Sequence, residues 1–205
     1  MPYDPARHHR RSIRLPGYDY TQAGAYFVTV VTHQRECLFG DVVDGAMHLN
    51  ACGDVALTCW RDIPRHFPSI RLDAMVVMPN HVHGVLWIVD ELNGDAIVTA
   101  TPATPATVGA QHAAPLQLQP TPRPMPRYPG VASGSLAAVV RSYKSAVTKS
   151  INAVRGAAGD PIWQRNYYEH IIRDEPSLNR IRHYIDENPS QWAFDDENPQ
   201  QSPQP

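Results

Sequence analysis

The chain lacks any apolar run long enough to cross a bilayer, which takes roughly 18 to 20 residues. Its N-terminus, MPYDPARHHRRSIR, is polar, whereas a secretion signal would carry an apolar stretch there. A length of 205 residues suits a single domain of ordinary size with tails. We therefore expect a cytoplasmic protein that does not act at a membrane.

Cysteine and net charge are also scarce. Cys37, Cys52 and Cys59 have no CxxC spacing, which predicts reduced thiols in or near the core. A net charge of -2 argues against a protein that coats nucleic acid, because such coating needs an excess of cations. No acidic residue lies between Asp95 and Asp160, however, so a nearly neutral chain still has material for a basic face or for an ordinary solvated surface.

The first half of the chain predicts strands interrupted by one helix. Residues 25–33 are β-branched and aromatic, and two short strands flank Asp44-Gly45, a dipeptide typical of tight hairpin turns. Asn50 can cap a helix that runs to about residue 63. Residues 72–78 and 81–89 then predict two further strands joined by Pro79-Asn80.

The second half predicts an interrupted continuation of the same domain. Residues 91–134 hold eight prolines between Pro102 and Pro129 and predict a loop or linker insertion. A helix capped by Ser135, an extended segment over residues 162–173 and a helix capped by Asp174 follow, and Asn188-Pro189 stops the last helix.

These elements predict one α+β domain with a ferredoxin-like antiparallel sheet and helices packed on one side of it. The domain would comprise residues 25–90 and 135–192, preceded by a basic arm over residues 1–24. Residues 193–205 would be a polar C-terminal tail.

The most informative segment is VVMPNHVHGVLWIVD, residues 76–90. His81 and His83 alternate on a strand, so both imidazoles project from one face and can bind one divalent cation. Two such histidines could also be core or surface residues by chance, but burying titratable rings without a ligand is costly. Val85 excludes the histidine-triad and metallo-β-lactamase patterns, and Trp87 with Ile88 excludes the cupin pattern.

With these residues in view, PNHVHGVLWI resembles the HUH motif of single-tyrosine transposases. The segments RRSIRLPGYDY and WQRNYYEHIIRDEPSLNRIRHYIDENP resemble the REP-associated tyrosine transposase branch. The resemblance covers nearly all of the chain except residues 91–134 and the tail. It implies that the two histidines bind a divalent ion, Mg²⁺ or Mn²⁺, at a scissile phosphate of single-stranded DNA.

The tyrosine that matches the family's YI-x-x-NP position is Tyr184, which the resemblance implies is the nucleophile. Leu178, Ile181 and Ile185 predict a buried stripe on the same helix, which leaves Tyr184 and Asn188 together on a neighbouring face. Asn188 is thus a candidate third metal ligand, although simple helix capping would also explain it.

The resemblance implies hairpins of palindromic repeats as the DNA substrate and a 5′-phosphotyrosine intermediate that is rejoined to a 3′-hydroxyl. Tyr167, Tyr168 and Trp163 could stack on unpaired bases, but core packing is the simpler interpretation. The candidate DNA-binding cations are Arg7, Arg10, Arg11, Arg14, Arg141, Lys144 and Lys149.

Two other function classes stay open at this point. A domesticated protein could bind the hairpin without cleaving it, although such a protein would not need His81, His83, Tyr184 and Asn188 together. A metal-dependent phosphoesterase acting on small molecules or RNA is also compatible with a lone HxH pair. The chain could work as a monomer or as a homodimer that exchanges the tyrosine helix.

Overall fold

The computed structural model describes residues 18–89 and 132–200. The strands are β1 Gly24–Val31, β2 Gly40–Val43, β3 Ala46–Leu49, β4 Ile70–Val77, β5 His81–Ile88 and β6 Tyr168–Ile172. The helices are α1 Ala51–Arg61, α2 Ile63–His66, α3 Leu136–Arg155 and α4 Glu175–Glu187. The predicted order of elements is confirmed, with the one-turn helix α2 as an addition.

Three predicted segments lie partly outside the described residues. The parts outside are most of the basic arm, nearly all of the proline-rich insertion, and the last five residues of the tail. The cations of the arm that were candidates for DNA binding are among them, namely Arg7, Arg10, Arg11 and Arg14.

The main sheet has four strands in the order β4-β5-β1-β6, and every neighbouring pair is antiparallel. The chain passes from β1 through α1 to β4 and leaves the place between them for β5. It then passes from β5 through α3 to β6 and leaves a place for β1. Two interleaved β-α-β units of this kind make a ferredoxin-like sheet, so the predicted α+β fold class is confirmed.

Both faces of this sheet are covered, because β1 and β5 are buried along almost their whole lengths. On one face, here called the core face, Tyr26, Val28 and Val82 pack in a large apolar cluster with residues of α1 and α3. On the other, here called the α4 face, Phe27 and Val85 pack in a smaller cluster with residues of α4. The expectation that the helices lie on one side is therefore wrong, since the apolar stripe of α4 covers the second face.

Local sequence signals account for the helix ends and the hairpin. The side chain of Asn50 accepts hydrogen bonds from the backbone N–H groups of Cys52 and Gly53, which begins α1 as predicted. In the β2-β3 hairpin, Asp44 and Gly45 have φ of 52° and 75°. Positive φ at both positions is what a two-residue turn of this type requires.

The glycine after the histidines, Gly84, has a packing role. A methyl group built at Gly84 would collide with the indole of Trp60, which lies on the core face almost fully buried. The HxHG pattern thus serves both faces of β5. The histidines point one way, and the glycine makes room for α1 on the other.

None of the three cysteines forms a disulfide. Their predicted place is wrong for Cys37, which is exposed in the loop before β2, while Cys52 and Cys59 are half-buried. Neither α3 nor any other helix within the described ranges combines the length and hydropathy that a membrane span requires.

Candidate active site

His81 and His83 lie on the α4 face at the first and third positions of β5. They are 0% and 4% exposed, and their ring centroids are 4.4 Å apart. On the neighbouring strand, Thr29 pairs with His83 in the antiparallel register, so it lies on the same face. The period of the strand therefore brings the two imidazoles together as the sequence predicts.

Each imidazole is oriented through its Nδ1 atom. Nδ1 of His81 lies 2.9 Å from Oδ1 of Asn80, and the amide nitrogen of Asn80 donates to the carbonyls of Arg35 and Glu197. Because that amide nitrogen is engaged elsewhere, Asn80 accepts the proton of Nδ1 and leaves Nε2 of His81 as the basic atom. Nδ1 of His83 lies 2.8 Å from Oγ1 of Thr29, and this hydrogen bond orients the second ring.

Burial keeps both rings neutral. It lowers the pKa of His81 to about 4, against the opposing effects of the Asp195 charge and the Asn188 side chain. It also lowers the pKa of His83 well below its usual range, and the neighbouring His81 adds to this shift. Neutral imidazole is the form that binds metal ions, so the pair is ready for a cation at neutral pH.

A carboxylate completes the cluster. One ligand atom each from His81, His83 and Asp195 lie within 4.8 Å of one another, and Asp195 is 6% exposed. Nε2 of His81 is buried, 3.9 Å from an Asp195 oxygen, and has no hydrogen-bond partner among the described residues. Two imidazoles and a carboxylate are a ligand set that suits a divalent ion, and the unpartnered Nε2 of His81 has a lone pair to offer it.

Nothing in the sequence pattern marks Asp195 as a candidate ligand. It lies in the segment predicted as a polar tail, and its approach to the histidines depends on the turn at Pro189 and the short 3-10 helix Trp192–Phe194. The acidic residue nearest in space thus comes from about 110 positions along the chain. Motif spacing does not predict a contact between residues that lie so far apart in the sequence.

Asn188 lies beside the same cluster at the end of α4 and is 2% exposed. Its amide nitrogen donates to Asp195 at 3.0 Å, and its carbonyl oxygen Oδ1 is buried without a hydrogen-bond partner in the described part of the chain. An oxygen left over in this way suits the predicted ligand role. That role stays a prediction.

Tyr184 projects from α4 toward the histidines of its own chain. Its hydroxyl lies 3.1 Å from Nε2 of His83, and the side chain is 47% exposed. Burial raises the pKa of Tyr184 to about 12, and the charges of Asp195 and Asp196 add to the shift. The phenol is therefore well placed but weakly acidic, so it needs a nearby cation to act as a nucleophile.

An ion pair fixes α4 two residues before the tyrosine. The guanidinium of Arg182 donates to both carboxylate oxygens of Asp73, at 2.8 and 2.6 Å. Asp73 also accepts from the indole N–H of Trp87, at 3.0 Å, and lies at an irregularity of β4. The Arg182 hydrogen bonds hold the pKa of Asp73 down at about 2. This ion pair, here called the latch of α4, therefore stays charged at all ordinary pH values.

The predicted DNA-binding cations of α3 are not part of this cluster. Arg141 and Lys149 are exposed on a helix that covers the core face, opposite to the histidines. Lys144 is half-buried, and its ammonium donates to the carbonyls of Gln164, Arg165 and Asn166. A role of these cations in DNA binding stays a prediction.

The structure also separates the other aromatic candidates. Trp163 and Tyr167 belong to the core-face cluster, which agrees with the packing interpretation. Tyr168 points the other way and is 48% exposed. It lines a cleft of about 530 Å³, here called the site cleft, together with His83, Tyr184 and the segment 194–197.

No family model matches the chain. An uncharacterized protein of Haemophilus influenzae (strain Rd) is 39% identical over 193 residues, which cover 94% of this chain and 95% of that protein. The chain belongs to the same family as this Haemophilus protein.

Among solved structures, one of a REP-associated tyrosine transposase bound to a REP hairpin matches with a TM-score of 0.53 at 16% identity. The match covers 89% of this chain and 76% of that protein. It confirms, at the level of the fold, the resemblance inferred from the HUH and tyrosine motifs.

Proposed function

We propose that the chain is a metal-dependent endonuclease and strand transferase of single-stranded DNA, with Tyr184 as nucleophile. The observation that carries this proposal is the 3.1 Å approach of the Tyr184 hydroxyl to His83, beside a cluster able to hold a divalent ion. A binding protein would not need a half-exposed phenol aimed at buried neutral imidazoles.

In the proposed reaction the phenolic oxygen of Tyr184 attacks the scissile phosphorus and loses its proton. The bond from phosphorus to the 3′-oxygen breaks, and that oxygen leaves as a 3′-hydroxyl after taking up a proton. The 5′-phosphate stays on the tyrosine, so the energy of the phosphodiester bond is retained. Attack by a 3′-hydroxyl on this linkage reverses the step and rejoins DNA.

A divalent ion, Mg²⁺ or Mn²⁺, held by His81, His83 and either Asp195 or Asn188, would polarise the phosphate and neutralise its charge. The protein contributes position and protonation state. Thr29 and Asn80 orient the imidazoles, and burial keeps the imidazoles neutral. The Arg182–Asp73 ion pair holds α4, and with it Tyr184, in position beside them.

We further propose that hairpin DNA is the substrate, on the basis of the fold shared with a transposase solved on a REP hairpin. The acidic residues that line the site cleft favour a mechanism that requires a cation. Asp195, Asp196 and Glu197 all line it, and they would repel a phosphate that entered without a compensating charge.

The test is to incubate the full chain with end-labelled hairpin oligonucleotides carrying single-stranded flanks, with Mn²⁺, Mg²⁺ or EDTA. We expect a covalent protein–DNA adduct, stable to denaturation, that EDTA and Tyr184→Phe abolish. Tyr168→Phe is the matched control, because it removes the hydroxyl of the other exposed tyrosine in the same cleft and should leave the adduct unchanged.

Hairpin binding without any adduct would overturn the nuclease proposal and favour a binding protein. Cleavage of RNA as readily as DNA, again without an adduct, would favour a phosphoesterase. An adduct that survives Tyr184→Phe would remove Tyr184 from the mechanism.

A further inference from the structure

Exposed aromatic side chains are concentrated in one place. Among the described residues, the exposed large hydrophobic side chains are Val43, Val154, Tyr168, Tyr184 and Phe194. The three aromatic ones all line the site cleft, whereas the two valines do not. Single exposed apolar residues are ordinary, but a group of rings around a polar centre marks a surface that binds something.

Tyr168 is placed by the register of the sheet. Thr29 pairs with His83 on one side and with Tyr168 on the other, so these three residues form one row across the α4 face. With strands about 4.8 Å apart, the backbone of Tyr168 lies about 10 Å from that of His83. This is within one or two nucleotide spacings of the atom that would bind the scissile phosphate.

The ring of Tyr168 is supported from below. It meets the ring of Phe27 edge to face at 6.2 Å, and Phe27 in turn stacks on His83 at 5.3 Å. Its neighbour Tyr167 packs in the core-face cluster. The alternation of the strand thus sends only one of two consecutive tyrosines to the site.

Phe194 lines the same cleft from a different segment of the chain. It ends the short helix Trp192–Phe194 and directly precedes Asp195, whose carboxylate lies at the histidine pair. Its side chain is 79% exposed, the largest exposure of any large hydrophobic residue described. An apolar ring this exposed, next to a buried polar cluster, is free to contact a ligand.

An unpaired nucleobase matches these walls. Aromatic side chains bind bases through their π-faces, and a paired base in a duplex has both faces covered by its neighbours. The carboxylate of Asp196, which lines the cleft, repels phosphates, but a base is neutral and offers N–H donors to it.

We propose that Tyr168 and Phe194 form a nucleobase subsite that holds an unpaired base next to the phosphate attacked by Tyr184. The inference rests on the proposed function and adds a reason for its strand preference. A duplex cannot offer such a base, so cleavage is confined to single-stranded flanks.

The test places 2-aminopurine, whose fluorescence falls when it stacks, at each unpaired position of a hairpin oligonucleotide in turn. The protein is the full chain carrying Tyr184→Phe, which cannot cleave. We expect quenching at one or two adjacent positions. Tyr168→Leu and Phe194→Leu keep apolar bulk but remove the ring, so each should restore the fluorescence and weaken binding about tenfold.

Two controls separate stacking from other effects. Tyr168→Phe keeps the ring and should keep the quenching, and Val154→Ala removes an exposed apolar side chain outside the cleft and should change nothing. All of the substituted side chains are exposed, so the thermal unfolding temperature of each variant should match that of the parent protein.

The outcomes distinguish this proposal from the previous one. If the wild-type chain forms the adduct but the quenching is absent or insensitive to both leucine variants, the subsite is wrong and the nuclease stands. Ring-dependent quenching without any adduct supports the subsite and overturns the nuclease. If the hairpin is not bound at all, both proposals fail.

Discussion

The two faces of the four-stranded sheet are built from alternate residues of the same strands, yet they are used differently. On the core face, Val82 and Gly84 contribute to a dry cluster closed by α1 and α3. On the α4 face, His83 lines a polar cleft that residues of α4, β1, β6 and the segment 194–197 border, and His81 lies buried beside it. The strand period lets one β-strand carry stability and chemistry at adjacent positions, with little interference between them.

The largest expected effect comes from adjacent residues on opposite faces. His83→Ala removes a candidate ligand and the partner of Tyr184, so we expect adduct formation to fall at least about 100-fold. Val82→Ala leaves a cavity in the core and should lower the free energy of unfolding by about 2 kcal/mol. Its adduct yield per folded molecule should stay within about twofold.

Adduct gels and urea unfolding of the same preparations measure both quantities. Substantial adduct formation by His83→Ala would contradict the catalytic role proposed for the α4 face. Loss of adduct from Val82→Ala in fully folded protein would show that the faces are not separable.

The next effect is on stability alone. Gly84→Ala pushes a methyl group into the Trp60 indole and should cost about 1–3 kcal/mol of unfolding free energy. Trp60→Leu removes the obstacle, so the double variant should be less destabilised than the sum of the two single changes. Strict additivity in this cycle would mean that Gly84 is not needed for the approach of Trp60.

A smaller effect is expected at the latch of α4. Arg182→Lys cannot make the two-pronged contact with Asp73, so Tyr184 should be less well positioned and the adduct rate should fall about tenfold. Hairpin affinity should hardly change. The control is Arg180→Lys, an exposed cation on the same helix. Equal rates for the two lysine variants would show that the latch does not position the tyrosine.

The smallest effect is a pH dependence of stability. The folded-state pKa of His81 is about 4, below the usual 6.5, so the unfolded chain binds more protons between these values. Stability should therefore fall as the pH of metal-free protein is lowered from about 7 to 4. Thermal unfolding in EDTA measures it, with the double variant His81→Gln, His83→Gln as control. A wild-type slope no steeper than that of the control would contradict neutral buried imidazoles.

Most of the fold followed from the sequence because its signals are local. Asn50, Ser135 and Asp174 each cap the predicted helix, and Asp44-Gly45 makes the predicted turn. The side of the sheet that each helix covers did not follow. An amphipathic stripe indicates that a helix needs an apolar partner. Both faces of β1 and β5 carry apolar residues, so either face could supply that partner.

The candidate site divides in the same way. Spacing along one strand and one helix predicted that His81 lies beside His83 and Tyr184 beside Asn188, while the choice of Tyr184 as nucleophile came from the resemblance. Asp195 was not predicted, since it reaches the histidines through an irregular segment. The choice of Tyr168 over Tyr167 as the exposed ring required the register of β6 against β1.

In the proposed mechanism, Tyr184 makes the covalent bond to DNA. Mass spectrometry of the protease-digested adduct, formed by the wild-type chain with Mn²⁺, identifies the linked residue directly. We expect one modified peptide that contains Tyr184 and carries a 5′-linked nucleotide. A modified Tyr168, or a 3′-linked nucleotide, would contradict it.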